Sequence, residues 1–381
     1  MNILSEYCIK WKITLNIDKT KIVVFKKGGR ISAKDKWYYN GKLLQVVKHF
    51  TYLGIVFSTS GSFLENQKTL AGQAQKATFS LMKKLSKFSN VTHDIYCDLF
   101  DKMIMPILCY GSEVWGFHQG DAIERVHLQY CKKILGLKWN TVNNIVYCEL
   151  GRTNTRCIRY KRIVNYWLKI MKCDDTRFTK IVYNVLLADA ERGKHNWVSM
   201  LKNVLQMFGF GHVWFFQGVE NNTLFFNVFN QRVRDNYGQT MHSQLQDMSR
   251  GKHYILFHEV FIHAKYLDIV KTESHRTALC RLRSSNHRLA IESGRWHKPH
   301  PIPIAERKCL LCDDIEDEFH FVLVCKLYKQ LRNKYISRYF YGRPSMYKFI
   351  ELMSNNNVQT VCKLANFVYK SFIIRNLYVF V

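Results

Sequence analysis

Apolar positions along the chain follow two different periods. Ile3, Leu4, Tyr7, Cys8 and Trp11 recur at three- and four-residue spacing, which predicts an opening amphipathic helix with a full apolar stripe, as if the chain began inside a domain. From Thr14 to Phe57 the period shortens. Lys21 to Phe25 read KIVVF, a β-branched run, and Asn40-Gly41 between WYY and KLL predicts a two-residue hairpin turn. FTYLGIVFS, residues 50–58, reads as a further strand in which Gly54 permits close backbone approach. Beyond Gly61 the pattern turns helical. Ser62-x-x-Glu65 predicts a capping box, followed by Leu70, Ala74, Ala77, Leu81, Leu85 and Phe88 on one face. A second helix is expected from Thr92 to Trp115, kinked at Pro106. A third runs from Asp121, with Glu124 in its first turn, to near Gly136, and a fourth from Thr155 to Lys172.

Residues 176–275 are aromatic and mixed; FGFGHVWFF and NTLFFNVFN fit neither period cleanly. Ser284 to Arg307 contain three prolines and read as a loop, with a boundary placed near Thr277. The expected class is α+β, mainly α. Its parts are a small β-rich unit (1–60), a helical bundle (61–175), a mixed region (176–276), a basic segment with a small cysteine module (277–340) and a helical tail (341–381).

Charge narrows the range of partners. Fifty-seven Lys and Arg against 29 Asp and Glu leave +28, while 47% hydrophobic and 14% aromatic residues exclude a disordered chain. Such an excess calls for a polyanion, with nucleic acid the first expectation and an anionic membrane surface the second. A membrane span needs about 20 consecutive apolar residues, and the longest uncharged run, Asn203 to Val219, is interrupted by Gln206, His212 and Gln217. The amino terminus has neither a basic leader nor a small-residue cleavage site, so the twelve cysteines are expected to be thiols in the cytoplasm or nucleus, not in a secreted protein. Lys132, Lys133, Lys138, Arg152, Arg156, Arg159, Lys161, Arg162, Lys169 and Lys172 crowd the end of the bundle and predict one basic face. Tyr160, Tyr166 and Trp167 beside them are either base-stacking rings or core.

Cys309, Cys312, His320 and Cys325 give C-x2-C-x7-H-x4-C, a spacing that suits tetrahedral Zn²⁺; the alternative is three buried cysteines and an incidental histidine. Four protein ligands leave no open position, so such a metal would be structural. It would contribute roughly 10 kcal/mol or more to local folding. Arg307, Lys308 and Lys326 are placed to offset the negative charge of three thiolates. The acidic run DDIEDE, residues 313–318, would repel phosphate and is expected to face solvent or a protein partner. Nucleic-acid contact is expected instead from the flanks, Arg281, Arg283, Arg295, Arg307, Lys326, Lys329 and Arg332.

The order of YCIKWKITLNIDKTKIVVF, FTYLGIVFS, LAGQAQKA, YGSEVWG, ERVHLQYCKKILGL, VYCELGR and RLRSSNHRLAIESGR, ending in CLLCDDIEDEFHFVLVC, resembles the carboxy-terminal half of the reverse transcriptase of LINE-type, non-LTR retrotransposons. The resemblance covers nearly the whole chain, the stretch 176–275 contributing little. It implies that Leu15 to Phe25 close a polymerase palm, with Lys19 or Lys21 near the incoming nucleotide. It further implies that Phe50 to Ser58, including Tyr52, Leu53 and Gly54, form a primer grip, and that the following helices form a thumb. In that family two Mg²⁺ ions are held by carboxylates that would precede this chain, from an upstream strand and an Ala-Asp-Asp hairpin. Asp174-Asp175 and Asp313-Asp314, the only adjacent acidic pairs of that kind, lack the hairpin's apolar strand flanks. No Pro-Asp with spaced acids follows Cys325, and the closing LANFVYKSFIIRNLYVFV reads as a packing helix. The expectation is a truncated reverse transcriptase that binds RNA or DNA through its thumb and module flanks without polymerising alone. The alternatives are a stand-alone zinc-dependent nucleic-acid-binding protein with a cellular role, and a protein-interaction module whose basic face meets an acidic partner.

Overall fold

In the computed structural model, which describes all residues except 1, 27, 30, 31, 33–35, 89, 90, 260, 380 and 381, the chain is mainly helical with three small two-stranded sheets. α1 (Asn2–Lys10) forms as the spacing predicts, but of the predicted apolar stripe only Cys8 is buried; Ile3, Leu4, Tyr7 and Trp11 stay exposed. β1 (Lys21–Ile22) pairs in parallel with β4 (Gln45–Val46), so most of KIVVF lies outside the ladder. β2 (Tyr38–Tyr39) and β3 (Lys42–Leu43) form the predicted hairpin, with Asn40 and Gly41 both at positive φ.

Residues 50–58 are not one strand but a second hairpin, β5 (His49–Tyr52) with β6 (Ile55–Ser58). Its turn residues are Leu53 at φ 47° and Gly54 at φ 79°. A leucine at the first turn position hides the usual Asn-Gly or Asp-Gly signal. Gly54 does sit close to another part of the chain, since a Cβ there would lie 3.1 Å from the Tyr110 ring.

α2 (Leu64–Leu85) carries the predicted stripe inward, but the capping box does not form. Phe63 occupies the cap position, Ser62 Oγ accepts from the Leu64 N–H, and Glu65 pairs with Lys68 instead. The expected helix 92–115 is four pieces: α3 (His93–Leu99), a π-helical turn Phe100–Ile104, α4 (Met105–Leu108) and α5 (Ser112–Trp115). Pro106 follows closely on the π-helical turn, inside a helix already running from α3, where its missing N–H removes one donor and the ladder is locally irregular. The break falls at Gly111, in the left-handed region at φ 64°. α6 (Asp121–Ile134) and α8 (Thr155–Met171) match expectation, whereas α7 (Asn143–Glu149) between them has no side-chain cap to announce it.

The mixed region is helical: α9 (Phe178–Glu191), α10 (Trp197–Met207), α11 (Gly211–Phe215), α12 (Asn222–Gln246), α13 (Tyr254–Phe257) and α14 (Tyr266–Ile269). Surplus exposed aromatics blurred the period. In α12, Phe225, Phe229 and Val233 are buried at four-residue spacing, while Leu224 and Val228 beside them face solvent. The boundary at Thr277 falls inside α15 (Glu273–Arg283), so it is no boundary. The predicted loop 284–307 opens with three buried residues, Ser284, Ser285 and Asn286, and contains α16 (Ala290–Ser293). α17 (Lys329–Tyr335), α18 (Arg338–Tyr341), α19 (Met346–Met353) and α20 (Val358–Val379) complete the chain.

Among the described residues the apolar side chains gather into three cores. One joins α2 to α6 around Leu70, Phe100, Trp115 and Tyr130. The second joins α8 to α12 around Trp167, Leu201 and Phe229. The largest gathers the end of α6, α7, the end of α12, the cysteine module and α20, around Tyr147, Leu282, Phe321 and Phe367. α20 therefore packs as its sequence suggests. No helix of the described chain is long and apolar enough to cross a membrane.

Candidate metal centre and basic surfaces

Cys309, Cys312, His320 and Cys325 converge: their ligand atoms all lie within 4.8 Å of one another. A short antiparallel bridge, Lys308 to Ile315, brings the first two cysteines round a tight turn with Asp313 at φ 57°. Asp317 accepts from the His320 N–H at 2.8 Å and starts the π-helical turn His320–Val324, at the end of which Cys325 N–H donates back to the His320 carbonyl. The Cys325 sulfur lies 3.8 Å from that of Cys309 and 4.0 Å from that of Cys312, and the Lys326 N–H points at the Cys312 sulfur at 3.4 Å.

Two observations fit a cation at the centre. His320 is 3% exposed, and its Nε2 is buried without a hydrogen-bond partner, a costly position for an imidazole nitrogen that a bound cation would satisfy. Burial, and then the neighbouring thiols, push Cys325 up to about 12 and raise Cys309 as well. Thiols so placed stay protonated unless a cation draws out the thiolates. Burial lowers the His320 pKa, keeping the imidazole in its neutral, ligating form. The four residues can hold a metal ion.

The surroundings differ from expectation in two ways. Arg307 turns away from the cluster, donating to the carbonyls of Ile302 and Ile291, and Lys308 pairs with Asp313. The cation against the module is instead Arg332, buried and donating to the carbonyls of Val322 and Cys325 at 2.8 and 2.9 Å. Nor does the acidic run simply face solvent. Glu316 is buried in a two-pronged pair with Arg375 and accepts from the Ala290 N–H. Glu318 takes Ser285 Oγ, His287 and His253, the ring nitrogens lying 3.0 and 3.2 Å away. Despite its burial, those partners hold Glu318 well below the usual carboxylate range. Only Asp313 and Asp314 of the five acids remain exposed. Asp174 accepts the N–H and hydroxyl of Thr176, a turn cap.

The predicted nucleic-acid contacts divide by burial. Arg159 is buried and donates to the carbonyls of Gly116 and His118. Arg283 is buried against Glu149, and Lys132 donates to the Trp139 carbonyl and Asn143. Arg152 is tied to Asp101 and His127, Arg162 to the Cys109 carbonyl, and Arg295 to Glu292 and Ser249. Tyr160 and Trp167 belong to the core, and Tyr166 packs edge-on against Trp197. Lys19, Lys133, Arg156, Arg281 and Lys326 are exposed, as are Tyr52, Leu53 and Gly54, while Lys21 is half-buried and donates to Gln45.

The residue that sequence reasoning passed over is Trp139, 87% exposed in the turn between α6 and α7. Its signal was a lone indole within GLKWNT, a polar turn where no core demands one. Comparisons with protein-family models, with curated proteins and with solved structures return no match.

Proposed function

We propose that this chain is the carboxy-terminal region of a non-LTR-type reverse transcriptase, binding template or primer RNA or DNA without polymerising alone, in the cytoplasm or nucleus. The observation that carries nucleic-acid binding is where the charge sits. Among the described residues burial hides six Lys and Arg side chains and four carboxylates, so it removes little of the positive excess from the surface. The reverse-transcriptase reading draws on the order of the motifs and on one contact: Tyr110 of YGSEVWG donates to the Leu53 carbonyl at 3.0 Å, joining two segments that the resemblance assigns to thumb and primer grip.

The cluster's ion is structural Zn²⁺. Tetrahedral bonds of about 2.3 Å separate sulfurs by about 3.8 Å, close to the observed 3.8 and 4.0 Å. Zn²⁺ would supply the charge that keeps three thiolates together and would fix the turn and the π-helical segment; with four protein ligands it activates no water.

Binding of a labelled oligonucleotide across a salt series tests the reading. Counterion release predicts affinity falling steeply with salt and little sequence preference; no binding in dilute buffer would end it. A second reading, a zinc-dependent nucleic-acid-binding protein with its own cellular role, is favoured by one feature: Cys309 and Cys325 share a core with α7, α15 and α20 instead of forming a detachable bead. A reading frame upstream that encodes an Ala-Asp-Asp hairpin supports the first, and an untranslated leader the second.

A further inference from the structure

The turn between α6 and α7 is held more firmly than a connector needs. Four of its carbonyls are each gripped by a side chain: Gly136 by Arg281 Nε at 3.0 Å, Lys138 by Thr141 Oγ1 at 2.8 Å, Trp139 by Lys132 Nζ at 2.7 Å and Asn140 by Arg250 Nη1 at 2.7 Å. The Lys138 N–H donates to Asn286 Oδ1, and Asn286 Nδ2 donates to Thr141 Oγ1 at 2.7 Å. Lys132, Thr141 and Asn286 are buried, so these bonds form where they are strong and fix the backbone. On the crest of this fixed turn Trp139 is, at 87%, the most exposed large apolar side chain of the described residues. Ordering a loop is unfavourable, and here the ordering presents an indole to water.

The surroundings are basic. Trp139 borders an open cleft of roughly 700 Å³ whose apolar floor includes Leu128 and Leu137 and whose rim carries Arg125 and Lys133. On its other side Lys138 shares a surface with Arg281 and Arg288; burial, and then the two arginines, lower its pKa. Asp121 and Glu124 also line the cleft and would repel phosphate there, which leaves Arg125 and Lys133 of the same lining, and Lys138 next to Trp139 in the chain, as the cations that would receive it.

We propose that Trp139 is a stacking platform for an unpaired base, with Arg125, Lys133 and Lys138 meeting the phosphates of the same single strand. The proposal rests on the nucleic-acid reading above and adds where, and to which form, the chain binds. An indole stacks on a base only where the base face is free, which a duplex conceals along its length. An acidic protein would satisfy the cations equally, but a single exposed indole on a fixed backbone set among them favours a base.

Oligothymidine binding of the full chain, followed by anisotropy, tests this. Trp139→Ala is expected to lower affinity on the order of tenfold with an unchanged salt slope, and Trp139→Phe to recover most of the loss. Paired Lys133→Ala and Lys138→Ala changes are expected to flatten the slope. An abasic oligomer should bind wild type and Trp139→Ala alike. Since the side chain is exposed, thermal midpoint and metal content should not move. If wild type binds while Trp139→Ala binds equally well, the platform is refuted and the broader reading stands; weakened binding to polyglutamate by that variant would then reassign the indole to a protein partner. If wild type binds no oligonucleotide, the broader reading itself fails.

Discussion

Replacing Arg283 separates a structural cation from a nucleic-acid contact. Its Nε lies 3.1 and 3.4 Å from the two Glu149 oxygens, its Nη1 donates to the Met353 carbonyl at 2.7 Å, and its guanidinium sits 4.7 and 4.9 Å from the ring centroids of Phe257 and Tyr266. Glu149 is fully buried. Arg283→Met would leave that carboxylate without its cation, and breaking a buried pair from one side costs about 3–5 kcal/mol, a large part of the ~5–15 kcal/mol that holds a domain together. Urea unfolding followed by circular dichroism would show the loss as a lowered midpoint. Adding Glu149→Leu should return much of it, because the stranded charge is then gone.

The pH dependence has a definite sign. Burial raises the Glu149 pKa, but Arg283 and His258 outweigh it and leave it lowered. In wild type this contribution is present above the unfolded carboxylate pKa and fades as pH falls. In Arg283→Met burial loses its largest opponent, with only His258 and the Tyr266 and Tyr254 hydroxyls left against it, so the deficit relative to wild type should shrink on acidification. The oligonucleotide affinity of the folded variant should be unchanged. A loss below 1 kcal/mol, or a deficit that grows in acid, would refute the reasoning.

The metal cluster should carry about one zinc per chain by mass spectrometry, and Cys312→Ser or His320→Ala should lower both that content and the thermal midpoint. His93, 2% exposed and held near 4, chiefly by burial, should make the fold acid-sensitive. Because the folded pKa lies below the unfolded 6.5, stability present above pH 6.5 should be lost as pH falls toward 4, by about 3 kcal/mol in all; a flat urea midpoint across that range would exclude it. Arg156→Ala should weaken oligonucleotide binding and spare stability, whereas Arg159→Ala should do the reverse; equal effects on both readouts would show the burial pattern to be misleading. The isolated chain is expected not to extend a primer with Mg²⁺ or Mn²⁺, and extension abolished by Asp174→Ala would place chemistry at a residue read here as a turn cap.

What the sequence made legible was whatever repeats with a period. α2, α6 and α8 declared themselves through stripes such as Leu70, Ala74 and Leu81, and the Asn40-Gly41 turn through its chemistry. The metal cluster was legible because ligand spacing is itself the signal. The hairpin at Leu53-Gly54 was lost behind a leucine in a left-handed turn, α11 behind the solvent-facing Phe215, and α12 behind the solvent-facing Leu224 and Val228. Cations were read worst. A sequence gives their sign but not their burial, and Arg159, Arg283, Arg307 and Lys132 spend their donors on backbone carbonyls and carboxylates of the fold.

α12 is a strut. Over 25 residues, about 37 Å of helix, it gives Phe225, Phe229 and Val233 to one apolar core and Met241 and Leu245 to another. The two cores are thereby joined by one continuous helix, and the hollow that α12 shares with α6 and α8, lined by Tyr160 and Tyr237, lies along that link. Bending α12 would therefore change the shape of that hollow and the distance between the two cores together.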